Sequence, residues 1–95
     1  VTIVLVAPTA RDQLEDLIDR YTLPADTRDR VRSTLAARAG SPKAGQILRG
    51  RWTGYRRLVG PWGWMQIIYE HDETADQANV VTIEDTRSAT AGRTA

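Results

Sequence analysis

The spacing of apolar residues changes across residues 40–45, and that change limits the fold more than any other feature of the chain. Before it, Ala10, Leu14, Leu17, Ile18 and Tyr21 follow helical spacing, and Val31, Leu35 and Ala39 recur at i, i+4 and i+8. The first helix is expected to start at Thr9 as N-cap, with Asp12 three residues on. The second is expected to start at Asp26 or Thr27 and to stop at Gly40-Ser41-Pro42. Leu23-Pro24 separates them, so they form a helical hairpin. After Gly45 the pattern turns to strands, over 54–60, 63–71 and 78–85. The first two are joined by the turn Gly60-Pro61-Trp62-Gly63, and the last two by a polar loop. Ahead of everything, Thr2-Ile3-Val4-Leu5-Val6-Ala7 is β-branched and apolar, and reads as a strand buried on both faces. Neither helix has an apolar stripe wide enough to stand alone. The expected fold is therefore α+β, in the order β-α-α-β-β-β, with a two-helix hairpin on one face of an antiparallel sheet.

At 95 residues and 10.6 kDa the chain holds one domain, expected over 1–87, followed by a small, polar tail over 88–95 expected to be flexible. Cysteine is absent, which excludes disulfides, thiolate catalysis and cysteine-based zinc sites. His71 is the only histidine, so a histidine-rich metal site is excluded as well, and no metal or cofactor is expected. It lies between Glu70 and Asp72 and reads as a surface histidine. Asp72, Glu73 and Asp76 lack the internal glycine and closing glutamate of a calcium loop and read as a solvated hairpin. No apolar run approaches the ~20 residues that a membrane span needs, and nothing at Val1 resembles a signal peptide, so a cytoplasmic protein is expected.

The net charge of +1 conceals a strong separation along the chain. Between residues 30 and 69 stand eight cations and no acid; between 70 and 86 stand six acids and no lysine or arginine. Such a run makes either a solvated face or an anion-binding surface. Position alone leaves the two in balance, but cations and aromatics interleave: Arg49, Arg51, Trp52, Tyr55, Arg56, Arg57, Trp62 and Trp64 make a candidate surface for a phosphate backbone and stacked bases. Each aromatic taken singly reads first as packing. Arg56 and Arg57 are neighbours on a strand and must point to opposite faces. Leu58 shares a face with Arg56, and Tyr55 and Val59 share one with Arg57. Periodicity leaves open which set lies inside.

The order of elements, with Leu48-Arg49-Gly50, then Gly54-Tyr55-Arg56-Arg57-Leu58-Val59-Gly60, then Ile67-Ile68-Tyr69-Glu70, resembles the RelE/ParE superfamily of bacterial toxins. Asn79-Val80-Val81-Thr82-Ile83 followed by Arg87 is similar to that family's last strand and trailing arginine, and Thr9-Ala10-Arg11-Asp12-Gln13-Leu14 to its first helix. The resemblance covers nearly all of residues 1–87. It implies the toxin of a type II toxin–antitoxin system, with a cognate antitoxin as partner in a hetero-oligomer. For RelE-like members it further implies a metal-independent endoribonuclease that binds ribosome and messenger RNA and inhibits translation.

Carried over by motif, Arg56 or Arg57 takes the place of the first basic strand residues and Arg87 that of the trailing arginine. Gln66 stands where an arginine is usual, and Ser88-Ala89-Thr90-Ala91 where a tyrosine or histidine is usual. The catalytic set implied is thus Arg56 or Arg57, Gln66 and Arg87, with Arg49, Arg51, Trp52, Tyr55 and Trp62 binding RNA and ribosome. Gln66 can hydrogen-bond a phosphate but cannot neutralise it, so a weakened nuclease is one expectation. A ParE-like toxin that inhibits DNA gyrase by binding, or an inactive member that retains antitoxin binding, are the alternatives.

Overall fold

Both helices pack on one side of a sheet and no described helix covers the other, and this asymmetry organises the protein. The computed structural model describes residues 2–39 and 45–87. Its elements are β1 (Ile3–Val6), α1 (Pro8–Tyr21), α2 (Thr27–Arg38), β2 (Gln46–Ile47), β3 (Arg56–Val59), β4 (Met65–Asp72) and β5 (Gln77–Asp85), with a 3-10 turn at Gly50–Trp52. The strands form one sheet in the order β1-β5-β4-β3-β2. The α+β class and the helical hairpin are as expected. The sheet is mixed rather than wholly antiparallel, because β1 pairs in parallel with β5, and it gains the short edge strand β2.

Ala10, Leu14 and Leu17 of α1 and Val31 and Leu35 of α2 pack on Leu58, Met65, Ile67, Tyr69, Ala78, Val80 and Ile83 of the sheet. Val80 and Ile83 are three residues apart, yet both face the helices. The register passes from Ile68↔Thr82 to Tyr69↔Val80, so Val81 is an unpaired extra residue, a β-bulge. The expectation that β1 is buried on both faces is corrected. Val4 is buried, whereas Ile3 and Leu5 are 56% and 48% exposed, because they point to the side that no helix covers.

Beyond Val6, strand β5 loses its neighbour, and Gln13 of α1 replaces it. The Gln13 Oε1 accepts hydrogen bonds from the Ile83 backbone N–H at 2.9 Å and from the Thr82 hydroxyl at 2.8 Å. A buried N–H left without an acceptor there would cost about 1–3 kcal/mol.

The helix starts differ in kind. For α1, Pro8 occupies the first turn and Ala7 is the N-cap, so the expected Thr9 cap is corrected by two residues. Proline needs no N–H partner there and its φ is already helical, which makes a side-chain cap dispensable. For α2, Asp26 is the N-cap as expected, although its carboxylate pairs with Arg30 instead of capping. The Gly40-Ser41-Pro42 stop and the tail over 88–95 lie outside the described residues.

Candidate nucleic-acid interface

The face of the sheet that no described helix covers is where the alternation of β3 places Arg57. Leu58 is buried beneath the helices, so Arg56 lies on the helix side with it and Arg57 on the open side with Val59. Register then brings Gln46 of β2 opposite Arg57, Val59 opposite Gln66 of β4, and Gln66 opposite Glu84 of β5. These side chains join across four strands. Arg57 donates through Nη2 to Gln46 Oε1 and through Nη1 to Gln66 Oε1 at 3.1 Å; Gln66 donates through Nε2 to Glu84 Oε2 at 3.3 Å. Although on the open face, Gln66 is only 4% exposed.

Beside this row lies a concavity of about 430 Å3, lined by Gln46, Arg49, Trp52, Arg57, Gln66 and Ile68 among others. Trp52 stands at one wall in the 3-10 turn and meets Tyr55 edge-on, with ring centroids 5.6 Å apart. Arg51 projects from the same turn and is exposed. Cation, aromatic surface and a polar floor therefore meet in one open site, the combination that takes a phosphate and stacks a base.

Three residues expected at the site lie elsewhere. Arg56 stands opposite Tyr69, whose ring is wholly buried. Burial pushes the Tyr69 phenol above its ordinary pKa, with the Arg56 charge acting against that rise. Trp62 packs against the core, stacked on Trp64 at 6.3 Å and covered by the Arg30 guanidinium at 5.9 Å. Arg87 follows Asp85, a helix-side position of β5, and its guanidinium lies over Trp64 at 4.6 Å and over Tyr21 at 5.0 Å. It donates through Nε to Asp85 Oδ1 at 3.1 Å, and Asp85 also accepts from the Tyr21 hydroxyl. Asp85 is buried, which alone would raise its pKa. The hydrogen bonds from Tyr21 and Arg87 outweigh that and hold it below the ordinary carboxylate range.

The lone histidine is committed as well. His71 Nε2 lies 3.1 Å from Asp76 Oδ1 at the β4–β5 hairpin, and the Thr2 hydroxyl donates to the same oxygen. Its side chain is mostly buried, which corrects the surface reading. The acidic loop is an Asx turn, with Asp72 Oδ1 accepting from the Thr74 and Ala75 backbone N–H groups. Among the described residues no group of three acids, histidines or cysteines could hold a metal, and no helix is long and apolar enough to cross a membrane. Sequence reasoning missed Gln46, because a two-residue strand has no periodicity to read, and it missed Glu84, which was seen only as one more acid.

No family model and no curated protein matches the sequence. Solved structures do match. The toxin–antitoxin complex RelBE2 of Mycobacterium tuberculosis aligns with a TM-score of 0.69 at 19% identity, over 88% of this chain and 90% of that one. The conserved hypothetical protein HP0892 of Helicobacter pylori aligns with a TM-score of 0.64 at 13% identity, over 90% and 94%. The isolated RelE toxin of Escherichia coli aligns with a TM-score of 0.58 at 14% identity, over 99% and 95%. With a two-helix hairpin on one face of a five-strand sheet, this chain has the RelE-like toxin fold.

Proposed function

We propose that the chain is the toxin of a type II toxin–antitoxin pair and that it acts on messenger RNA at the ribosome, in the cytoplasm, as an endoribonuclease needing no metal. The observation that carries this is the setting of Arg57: an oriented guanidinium on an open sheet face, beside Arg49 and Trp52 in one concavity. In such a reaction the ribose 2′-hydroxyl gives its proton to water as its oxygen attacks the adjacent phosphorus. The bond to the 5′-oxygen breaks and that oxygen takes a proton from water, while negative charge builds on the phosphate on the way to a 2′,3′-cyclic phosphate. Arg57 stabilises that charge, Gln66 holds Arg57, and Trp52 with Arg49 and Arg51 seats the strand. The acid-rich, partly disordered type of segment that wraps a cationic surface is the chemistry expected of the antitoxin.

A second function is favoured by specific observations. Arg87 is paired with Asp85 and laid over Tyr21 and Trp64, Gln66 carries no charge, and His71 is paired with Asp76. A site so short of proton carriers suits a toxin that acts by binding alone, with DNA gyrase as its target. Brief expression in a bacterium with mapping of mRNA 5′ ends separates the two. Cuts in phase with codons support the nuclease. Growth arrest with intact messages and a DNA-damage response supports binding to gyrase, and unimpaired growth with folded protein supports an inactive member.

A further inference from the structure

Among the described residues, four arginines meet a carboxylate: Arg20 meets Asp16, Arg28 meets Glu15, Arg30 meets Asp26 and Arg87 meets Asp85. Arg57 is instead held by amide oxygens, those of Gln46 and Gln66. The difference has an electrostatic consequence. A carboxylate orients a guanidinium and cancels its charge, whereas a carboxamide orients it and leaves the charge for another anion. An amide can do this only if its oxygen faces the arginine. For Gln66 that orientation is set from the far side, where its Nε2 donates to Glu84 at 3.3 Å.

We infer that Gln46 is a positioning residue, holding Arg57 with a neutral acceptor so that its full charge meets a phosphodiester of single-stranded RNA. This rests on the proposed action on RNA for the ligand, though not for the anion site itself. Gln46 belongs to the edge strand β2, which contributes little to the core, and both its residues are exposed. Its side chain is therefore placed for the site rather than for packing.

The first variant is Gln46→Glu, which keeps the shape and the hydrogen bond but puts a carboxylate against Arg57. Two probes are used on the full chain: a labelled single-stranded RNA dodecamer followed by anisotropy, and inorganic phosphate followed through the NMR signal of the Arg57 Nε–H. For Gln46→Glu both affinities are expected to fall by roughly ten- to a hundredfold, the worth of one charged contact. The salt dependence of RNA binding should also become shallower, by about 0.7 in log–log slope. The melting temperature should hold or rise, since a charged pair replaces a neutral one. A new carboxylate weakens any anion site beside it, so Gln46→Leu, which removes the acceptor and adds no charge, decides on positioning. A several-fold loss for both probes with an unchanged melting temperature is expected, and unchanged affinity overturns the inference. If Arg57→Ala binds the RNA as the wild type does, RNA is not the ligand of this face. The phosphate titration then still decides on Gln46 alone: a loss in Gln46→Leu sustains its positioning role, and no loss ends it.

Discussion

Arg57 and Arg87 both entered as candidate catalytic arginines, and the fold treats them in opposite ways. Arg57 lies on the uncovered face, oriented by two carboxamides and open to a concavity. Arg87 lies at the helix side, paired with a buried carboxylate and laid over two aromatic rings. The first keeps its charge for a ligand; the second spends it on closing the end of the domain, where α1, β4 and β5 meet. An arginine at the expected place in a motif is thus no measure of its use. Its acceptor decides.

The sharpest way to break this contrast is to remove each arginine in turn. Arg57→Ala should lower messenger cleavage by about 10²–10³-fold with the protein still folded, the usual cost of one charge-stabilising contact. Arg87→Ala should instead lower the melting temperature and leave RNA affinity near wild type. A loss of RNA binding in Arg87→Ala without loss of fold would show that the cage opens to substrate.

The cage has its own test. Asp85→Ala leaves the Tyr21 hydroxyl and the Arg87 guanidinium without their shared acceptor, and should cost about 1–3 kcal/mol in a denaturant titration. At the edge of the sheet, Gly45 precedes β2 with φ +75°, and a Cβ there would collide with the buried Tyr69 hydroxyl. Gly45→Ala should therefore cost about 1–3 kcal/mol from backbone strain alone, with the collision in addition. Tyr69→Phe removes the collision, and with it a hydroxyl that meets no hydrogen-bond partner among the described residues. The substitution at Gly45 should therefore be better tolerated in that background, by comparison of melting curves.

Acid should act on the cage first. The folded pKa of Asp85 lies below its unfolded one, so it contributes stability that is complete above the ordinary value of about 3.9. That contribution fades as the pH falls through the folded value. Glu15 and Asp76 are held low by Arg28 and by His71 and share this acid limb, so the informative quantity is a difference. Stability measured between pH 5 and 2 should fall less steeply in Asp85→Asn than in the wild type; parallel curves would remove Asp85 from the acid response. The smallest effect expected is on the open face, where Glu84→Gln removes a negative charge from the far end of the row and should strengthen phosphate binding by a few-fold at most.

Both helices, strands β1, β3, β4 and β5 and the turn at Pro61 were legible because each rests on local periodicity, a β-branched apolar run or a residue with restricted backbone. The parallel pairing of β1 was not legible, since nothing in Ile3–Val6 names its neighbour. The site divided along the same line. Arg49, Trp52, Arg57 and Gln66 were picked out from composition and motif, and the fold gathers them. Arg56, Trp62 and Arg87 were picked out in the same way, and the fold turns them to the other side.

The sequence by itself determined that two helices cover one face of a sheet, that the cations concentrate in the middle of the chain, and that Arg56 and Arg57 take opposite faces. These follow from the 3.6 and 2.0 residue periods and need no knowledge of neighbours. Only the tertiary structure decided which of the two arginines looks outward and which acceptors hold it. Those choices depend on Leu58 finding the helices and on Gln46, Gln66 and Glu84 coming from three separate strands into one row. Contacts between strands are set by register, and register is a property of the packed sheet, not of any one segment.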